Sequence, residues 1–144
     1  MNCIFCKIVA GSAESTKVYE DDRILAFMDI MPVRAGQIGV IPKEHIDHFS
    51  DIPDELAHDI YAVTHRLMKA VRKAINPERV GLVVHGYGVA HAHMIIVPQH
   101  HENDIVSGRQ VSIEDGKVVF TGNLPLVSHV ELERVAALIR NQLN

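Results

Sequence analysis

Apolar residues recur along this chain with two different periods, and each change of period marks an element. From Leu56 onward they fall at Leu56, Ile60, Val63, Leu67, Ala70, Val71 and Ala74, the three-and-four spacing that lines one face of a helix. Asp51-Ile52-Pro53-Asp54 supplies its start, an acidic cap with proline in the first turn, and Asn76-Pro77 its stop. A second helix is predicted near the carboxyl end. There Ser128-His129-Val130-Glu131 fits a capping box, and Val130, Val135, Leu138 and Ile139 form an apolar stripe. Shorter apolar runs bounded by turn residues predict strands: Val18–Tyr19 and Ile24–Met28 around Glu20-Asp21-Asp22, then Gly36–Ile41 closed by Pro42. Val80–Val84 and Val89–Val97 flank His85-Gly86-Tyr87-Gly88, close enough to form an antiparallel pair. Val111–Ile113 and Lys117–Phe120 predict a further hairpin, and residues 3–9 a short helical turn or an extended arm. Together these describe an α+β fold, an antiparallel sheet packed with one long helix and a C-terminal helix.

Composition narrows the picture. A chain of 144 residues, 47% hydrophobic, suits one domain spanning 1–144 with a single core. A formal net charge of -4 argues against stable nucleic-acid binding, which normally needs a basic stripe. No apolar run approaches the roughly 18–20 residues of a membrane span. The start, Met1-Asn2-Cys3-Ile4-Phe5-Cys6-Lys7, lacks a charged region followed by a long apolar stretch, so a cytoplasmic protein is expected.

Ten histidines are an excess that composition leaves unexplained. Two of them, His91 and His93, are separated by one residue in an apolar run, which on a strand places them on one face with Ile95. Buried imidazoles must be satisfied, so the pair is either hydrogen-bonded core, a metal-ligand pair, or a nucleophile beside a ligand. Cys3-x-x-Cys6 lets two thiolates reach one ion, with His45 and His91 as candidate partners. Two reduced buried cysteines, or a redox pair, are the other readings of that spacing.

Taken in order, several segments resemble the histidine triad (HIT) family of nucleotide hydrolases and transferases. They are Cys3-Ile4-Phe5-Cys6-Lys7-Ile8, Val18-Tyr19-Glu20-Asp21-Asp22, Ala26-Phe27-Met28-Asp29-Ile30-x-Pro32, Gly36 followed by Val40-Ile41-Pro42-Lys43-x-His45, and His91-x-His93 before Pro98. The resemblance implies that His93 attacks the α-phosphate of a nucleotide and forms a nucleotidyl-histidine that water hydrolyses. It implies one structural zinc per chain on Cys3, Cys6, His45 and His91. It places Ile4, Phe5, Ile8, Phe27 and Ile30 around a base, and gives Asp29 both ribose hydroxyls. The ligand would be a purine nucleotide or derivative, such as a phosphoramidate or dinucleoside polyphosphate, and the protein a homodimer whose C-terminal part helps shape the site.

Two departures stand out. The third triad position is Ile95, which cannot donate a hydrogen bond to phosphate, and the preceding loop is shortened to His85-Gly86-Tyr87-Gly88-Val89-Ala90. These bear on transition-state stabilisation rather than on binding, since losing one preorganised donor costs about 10²–10³ in rate. His85, or the backbone at Gly88 and Val89, is the expected substitute. The alternatives are a nucleotide-binding regulatory or scaffold protein with weak or lost catalysis, or zinc and histidines that serve stability alone. His100 and His101 are expected in a solvated loop, and His48, His58, His65 and His129 on the surface.

Overall fold

Strand β2 (Ile24–Met28) shows how this sequence builds a core with two sides. All five of its residues are buried. Ile24, Ala26 and Met28 join one apolar cluster, while Leu25 and Phe27 join another with Ile8 and Ile41. Side chains alternate across a strand, so an unbroken apolar run is what a sheet covered on both faces requires.

The computed structural model describes residues 2–102, 104–105, 111–120 and 125–144. Helix α1 (Ile4–Val9) precedes strands β1 (Lys17–Glu20), β2 and β3 (Ile38–Pro42). The long helix α2 (Asp54–Ile75) follows, then β4 (Arg79–Val83), β5 (Met94–Gln99), β6 (Val111–Glu114), β7 (Lys117–Phe120) and helix α3 (His129–Arg140). Five strands form an antiparallel sheet in the order β1-β2-β3-β5-β4, and β6 pairs with β7 in a separate hairpin. This is the expected α+β architecture, with α2 and α3 on one face and α1 on the other. Asp115 and Gly116, both at positive φ, make the tight hairpin turn. No helix among the described residues is long and apolar enough to cross a membrane.

Local chemistry moved several boundaries. Asp51 does not cap α2. It ends a 3₁₀ turn (Phe49–Asp51), its N–H bonded to the His48 carbonyl at 3.0 Å, and Pro53 takes the cap position with no side-chain bond. At the other end Asn76 adopts the left-handed conformation (φ 52°) and its N–H reaches the Arg72 carbonyl, so the helix stops before Pro77 as expected. Thr64, rather than Val63, lies fully buried in the stripe. Its hydroxyl donates to the Ile60 carbonyl at 2.7 Å, which removes the cost of burying it.

On α3 the Ser128 side chain accepts the Glu131 N–H at 3.3 Å, but the Glu131 carboxylate turns to Arg134 instead of completing the box. The buried stripe is Leu132, Val135, Ala136 and Ile139. Val130 and Leu138 are exposed, because one helical face cannot hold positions 130 and 138 together with 132 and 136.

Strand β3 starts at Ile38 rather than Gly36. Gly36 turns the chain at φ 97°, and a Cβ there would lie 3.0 Å from Ile75 and 3.2 Å from Pro98. Strand β5 begins at Met94, not Val89, because its ladder with β3 ends at the Val40–Met94 pair. Upstream, Ala92 N–H bonds the Ile46 carbonyl and His91 N–H the Val89 carbonyl. Alternation nevertheless persists through this irregular stretch. Ala92, Met94 and Ile96 enter the core beneath α2, leaving His91, His93 and Ile95 for the opposite side.

Candidate functional site

Three segments converge beside α1. Cys3 caps that helix from an extended conformation and Cys6 lies one turn on, with Lys7 N–H bonded to the Cys3 carbonyl, so both thiols face the same way. His45 comes from the loop after β3 and His91 from the stretch before β5. Cys6 Sγ lies 3.3 Å from His45 Nδ1 and 3.6 Å from His91 Nδ1, and Cys3 Sγ lies 3.5 Å from His91 Nδ1. All four potential ligand atoms fall within 4.8 Å of one another. With ordinary zinc–sulfur and zinc–nitrogen bonds, the sulfur–nitrogen edge of a tetrahedron is roughly 3.6 Å. The donor set and its spacing therefore fit a closed tetrahedral metal site.

The ring of His91 is fixed from behind. It is fully buried, and its Nε2–H donates to the Pro42 carbonyl at 2.8 Å, which leaves Nδ1 as the lone pair facing the thiols. Burial pushes the His91 pKa down, toward the neutral form that binds metal. Burial, then the hydrogen bond and charge of Cys3, push the Cys6 thiol up. A thiol raised in this way gives up its proton most readily to a cation.

The next histidine faces a cavity of about 520 Å³. His93 Nδ1 lies 2.7 Å from the backbone carbonyl of His91, and a carbonyl only accepts, so Nδ1 carries the proton and Nε2 keeps its lone pair. Phe5 wedges between the two centres, edge-on to His91, His93 and Phe27 at centroid distances of 5.8, 5.4 and 5.3 Å. At the far side Asp29 accepts the Met31 N–H on Oδ1 at 2.8 Å and the Gln37 side-chain amide on Oδ2 at 2.6 Å. Each carboxylate oxygen thus retains acceptor capacity.

Among the residues expected at a nucleotide, Ile4, Phe5, Ile8, Phe27, Asp29, Ile30, Gly88 and Val89 all line this cavity together with His93. His85 does not. It is exposed on the loop after β4, its ring 5.8 Å from that of Tyr87, and Tyr87 is the residue that reaches the cavity. Gly86 and Gly88, both at positive φ, flank Tyr87 in this loop. Glu14, Ser15 and Met31 also line the cavity and carry no periodic signal in the sequence. Gln37 did leave one, a lone polar residue between Gly36 and an apolar run, and it is buried.

His100 and His101 are exposed and border a separate recess with Glu78 and Arg79. Their backbone N–H groups, with Arg34 Nε, converge on buried Asp104 Oδ2 at 2.7, 2.9 and 2.8 Å. Arg34 accordingly holds the Asp104 carboxyl down at about 2. His48, His58, His65 and His129 are exposed, as expected.

Comparison with known proteins places this geometry. A model of the HIT domain matches residues 10–102, a span that excludes both cysteines and α3. The chain is 40% identical over 108 residues to Protein hit of Bacillus subtilis, covering 72% of this chain and 74% of that protein. It is 41% identical over 108 residues to the adenosine 5'-monophosphoramidase hnt1 of Schizosaccharomyces pombe, covering 71% and 77%. A zinc-bound histidine triad family protein from Mycobacterium smegmatis superposes with a TM-score of 0.75 at 28% identity, over 99% of this chain and 94% of that one.

Proposed function

This chain belongs to the histidine triad family, whose chemistry is nucleotidyl transfer and hydrolysis, and on that premise we propose a nucleoside phosphoramidate hydrolase with His93 as nucleophile. The carrying observation is the 2.7 Å contact between His93 Nδ1 and the His91 carbonyl, which sets the His93 tautomer. With Nδ1–H held by the His91 carbonyl, Nε2 offers its lone pair to a cavity that also presents the Asp29 carboxylate. In the first step Nε2 bonds to the α-phosphorus while the bond to the leaving amine breaks. The amine takes the electron pair and a proton from solvent water. The positive charge growing on the imidazole is stabilised by the Nδ1–H bond to the carbonyl. Water then adds to the phosphorus and releases a proton to solvent, the nitrogen–phosphorus bond breaks with its electron pair returning to Nε2, and nucleoside monophosphate leaves.

Cys3, Cys6, His45 and His91 would hold one structural zinc per chain, which supplies rigidity rather than an open Lewis-acid position. His91, held in that set, would also keep its carbonyl aimed at His93 Nδ1. The apolar walls of Ile4, Phe5, Ile8, Phe27 and Ile30 suit a purine base, and Asp29 suits the ribose hydroxyls. The lining contains two acidic residues, Glu14 and Asp29, and no lysine or arginine among the described residues. That charge balance favours a singly charged phosphoramidate over a dinucleoside polyphosphate.

A homodimer, one domain over 1–144 and a reducing cytoplasmic setting complete the proposal. The edge position of β4 among the described strands supports the first, and the Arg140 bond to the Lys17 carbonyl the second. Ile95 favours a second reading, a regulatory nucleotide-binding protein with little turnover. Incubation with adenosine monophosphoramidate labelled at phosphorus decides between them. The wild type should release the monophosphate and show a labelled protein on rapid quenching, and His93→Ala should do neither. Full activity in His93→Ala would overturn the mechanism, and tight binding without turnover would favour the regulatory reading.

A further inference from the structure

We propose that Gln37 is a positioning residue for ribose recognition, its side-chain amide fixing the plane in which the Asp29 carboxylate meets the two ribose hydroxyls. The inference rests on the assignment of Asp29 to the ribose, and extends it to a residue that touches no substrate.

Gln37 is 6% exposed at the entrance to β3, where an amide is costly unless both its ends are paired. Both are. Nε2–H donates to Asp29 Oδ2 at 2.6 Å, and Oε1 accepts the Val33 N–H at 2.9 Å. The backbone adds two more bonds, Gln37 N–H to the Arg34 carbonyl at 3.2 Å and Asp29 N–H to the Gln37 carbonyl at 3.0 Å. One residue therefore clips the main chain and the side chain of Asp29 and closes the loop between them.

The direction of the amide follows from its partners. Val33 N–H can only donate, so Oε1 must face it and the NH₂ group must face Asp29. A flipped amide would set a carbonyl oxygen against a carboxylate. Asp29 is then held by one donor on each oxygen, Met31 N–H on Oδ1 and Gln37 on Oδ2. A carboxylate held at one oxygen can still turn about its last torsion, and held at both it cannot. Neighbouring ribose hydroxyls need two acceptors at fixed separation and orientation, so a locked plane is what two-point recognition demands.

The test compares adenosine monophosphoramidate with its 2',3'-dideoxy analogue, in wild type, Gln37→Met and Asp29→Asn. Wild type should prefer the ribose substrate by about 10²-fold in kcat/KM, since bonds to a charged acceptor discriminate strongly. Gln37→Met keeps the length of the side chain and removes the donor. It should cut that preference about tenfold through a raised KM on the ribose substrate, and leave the dideoxy substrate unchanged. Equal losses on both substrates, or an undiminished preference, would overturn the proposal.

Asp29→Asn separates the two layers of the inference. Collapse of the preference there but not in Gln37→Met removes only the role of Gln37. A preference that survives in Asp29→Asn, or is absent from wild type, removes the ribose assignment and this proposal with it. If Gln37→Met does not fold, wild-type protein still decides. The Gln37 side-chain amide resonances should shift on adding AMP and stay in place with 2',3'-dideoxy-AMP, and identical responses would overturn the proposal.

Discussion

Replacing Ile95 by histidine restores the missing donor and measures what its loss costs. Ile95 lies on β5 between Gly39 of β3 and Val83 of β4, and borders the cavity with His93 two residues away. Its neighbour leaves room. A Cβ built on Gly39 meets only the Phe27 ring, at the ordinary contact distance of 3.6 Å. An imidazole of similar volume therefore enters without overpacking.

Two opposing magnitudes follow. Losing a half-buried aliphatic side chain costs about 1–1.5 kcal/mol of stability, and because the new ring borders an open cavity its second nitrogen stays hydrated. A preorganised donor at a developing phosphate charge is worth about 10²–10³ in rate, or roughly 3–4 kcal/mol of barrier. Ile95→His should accordingly melt a few degrees lower and turn over adenosine monophosphoramidate at least about tenfold faster. Single-turnover kinetics read the chemical step, thermal unfolding the stability, and Ile95→Leu controls for packing. A folded Ile95→His protein with wild-type binding and wild-type turnover would refute the reasoning. It would mean that backbone N–H groups of the Gly86–Gly88 loop already supply what the side chain lacks.

Two further outcomes test the scaffold. Metal analysis of purified protein should find one zinc per chain, and Cys6→Ser should lose most of it and melt earlier; full folding without metal would sink the zinc assignment. Asp104 has its carboxyl pKa lowered from 3.8 to about 2, so its contribution is fully present above pH 4 and fades as pH falls toward 2. Urea unfolding of Asp104→Asn should show a deficit of about 1–2 kcal/mol at pH 7 that shrinks at pH 2, and a deficit independent of pH would contradict this origin.

The long helix was legible because its stripe is a local property. Its one misplaced member, Thr64, hides its polarity in a bond to its own helix, which no hydropathy pattern reports. The reach of β5 was overestimated for the opposite reason. Where a ladder stops depends on the partner strand, and β3 runs out at Val40. The cysteine pair offered His45 and His91 as candidate partners among other readings, but Cys3 and His91 are 88 positions apart, and spacing alone could not choose between those readings before the family resemblance and the fold did. Asp104 and Arg34, 70 positions apart and partly outside the matched domain, gave no sign of each other. His85 was expected at the phosphate for its chemistry, whereas Tyr87, two residues on, is the side chain of that loop that borders the cavity.

His91 serves two neighbours with two different parts of itself. Its ring joins the sulfur cluster, and its carbonyl receives the proton of His93. Every amino acid carries a carbonyl, so a chain that exchanged Cys3, Cys6, His45 and His91 for an apolar plug would forfeit the candidate metal ligands but not the acceptor. Such a chain would keep the nucleophile in the same tautomer, provided the plug aimed the peptide unit the same way. The candidate ligand set and the His93 tautomer are in this sense separable, joined at a single peptide group.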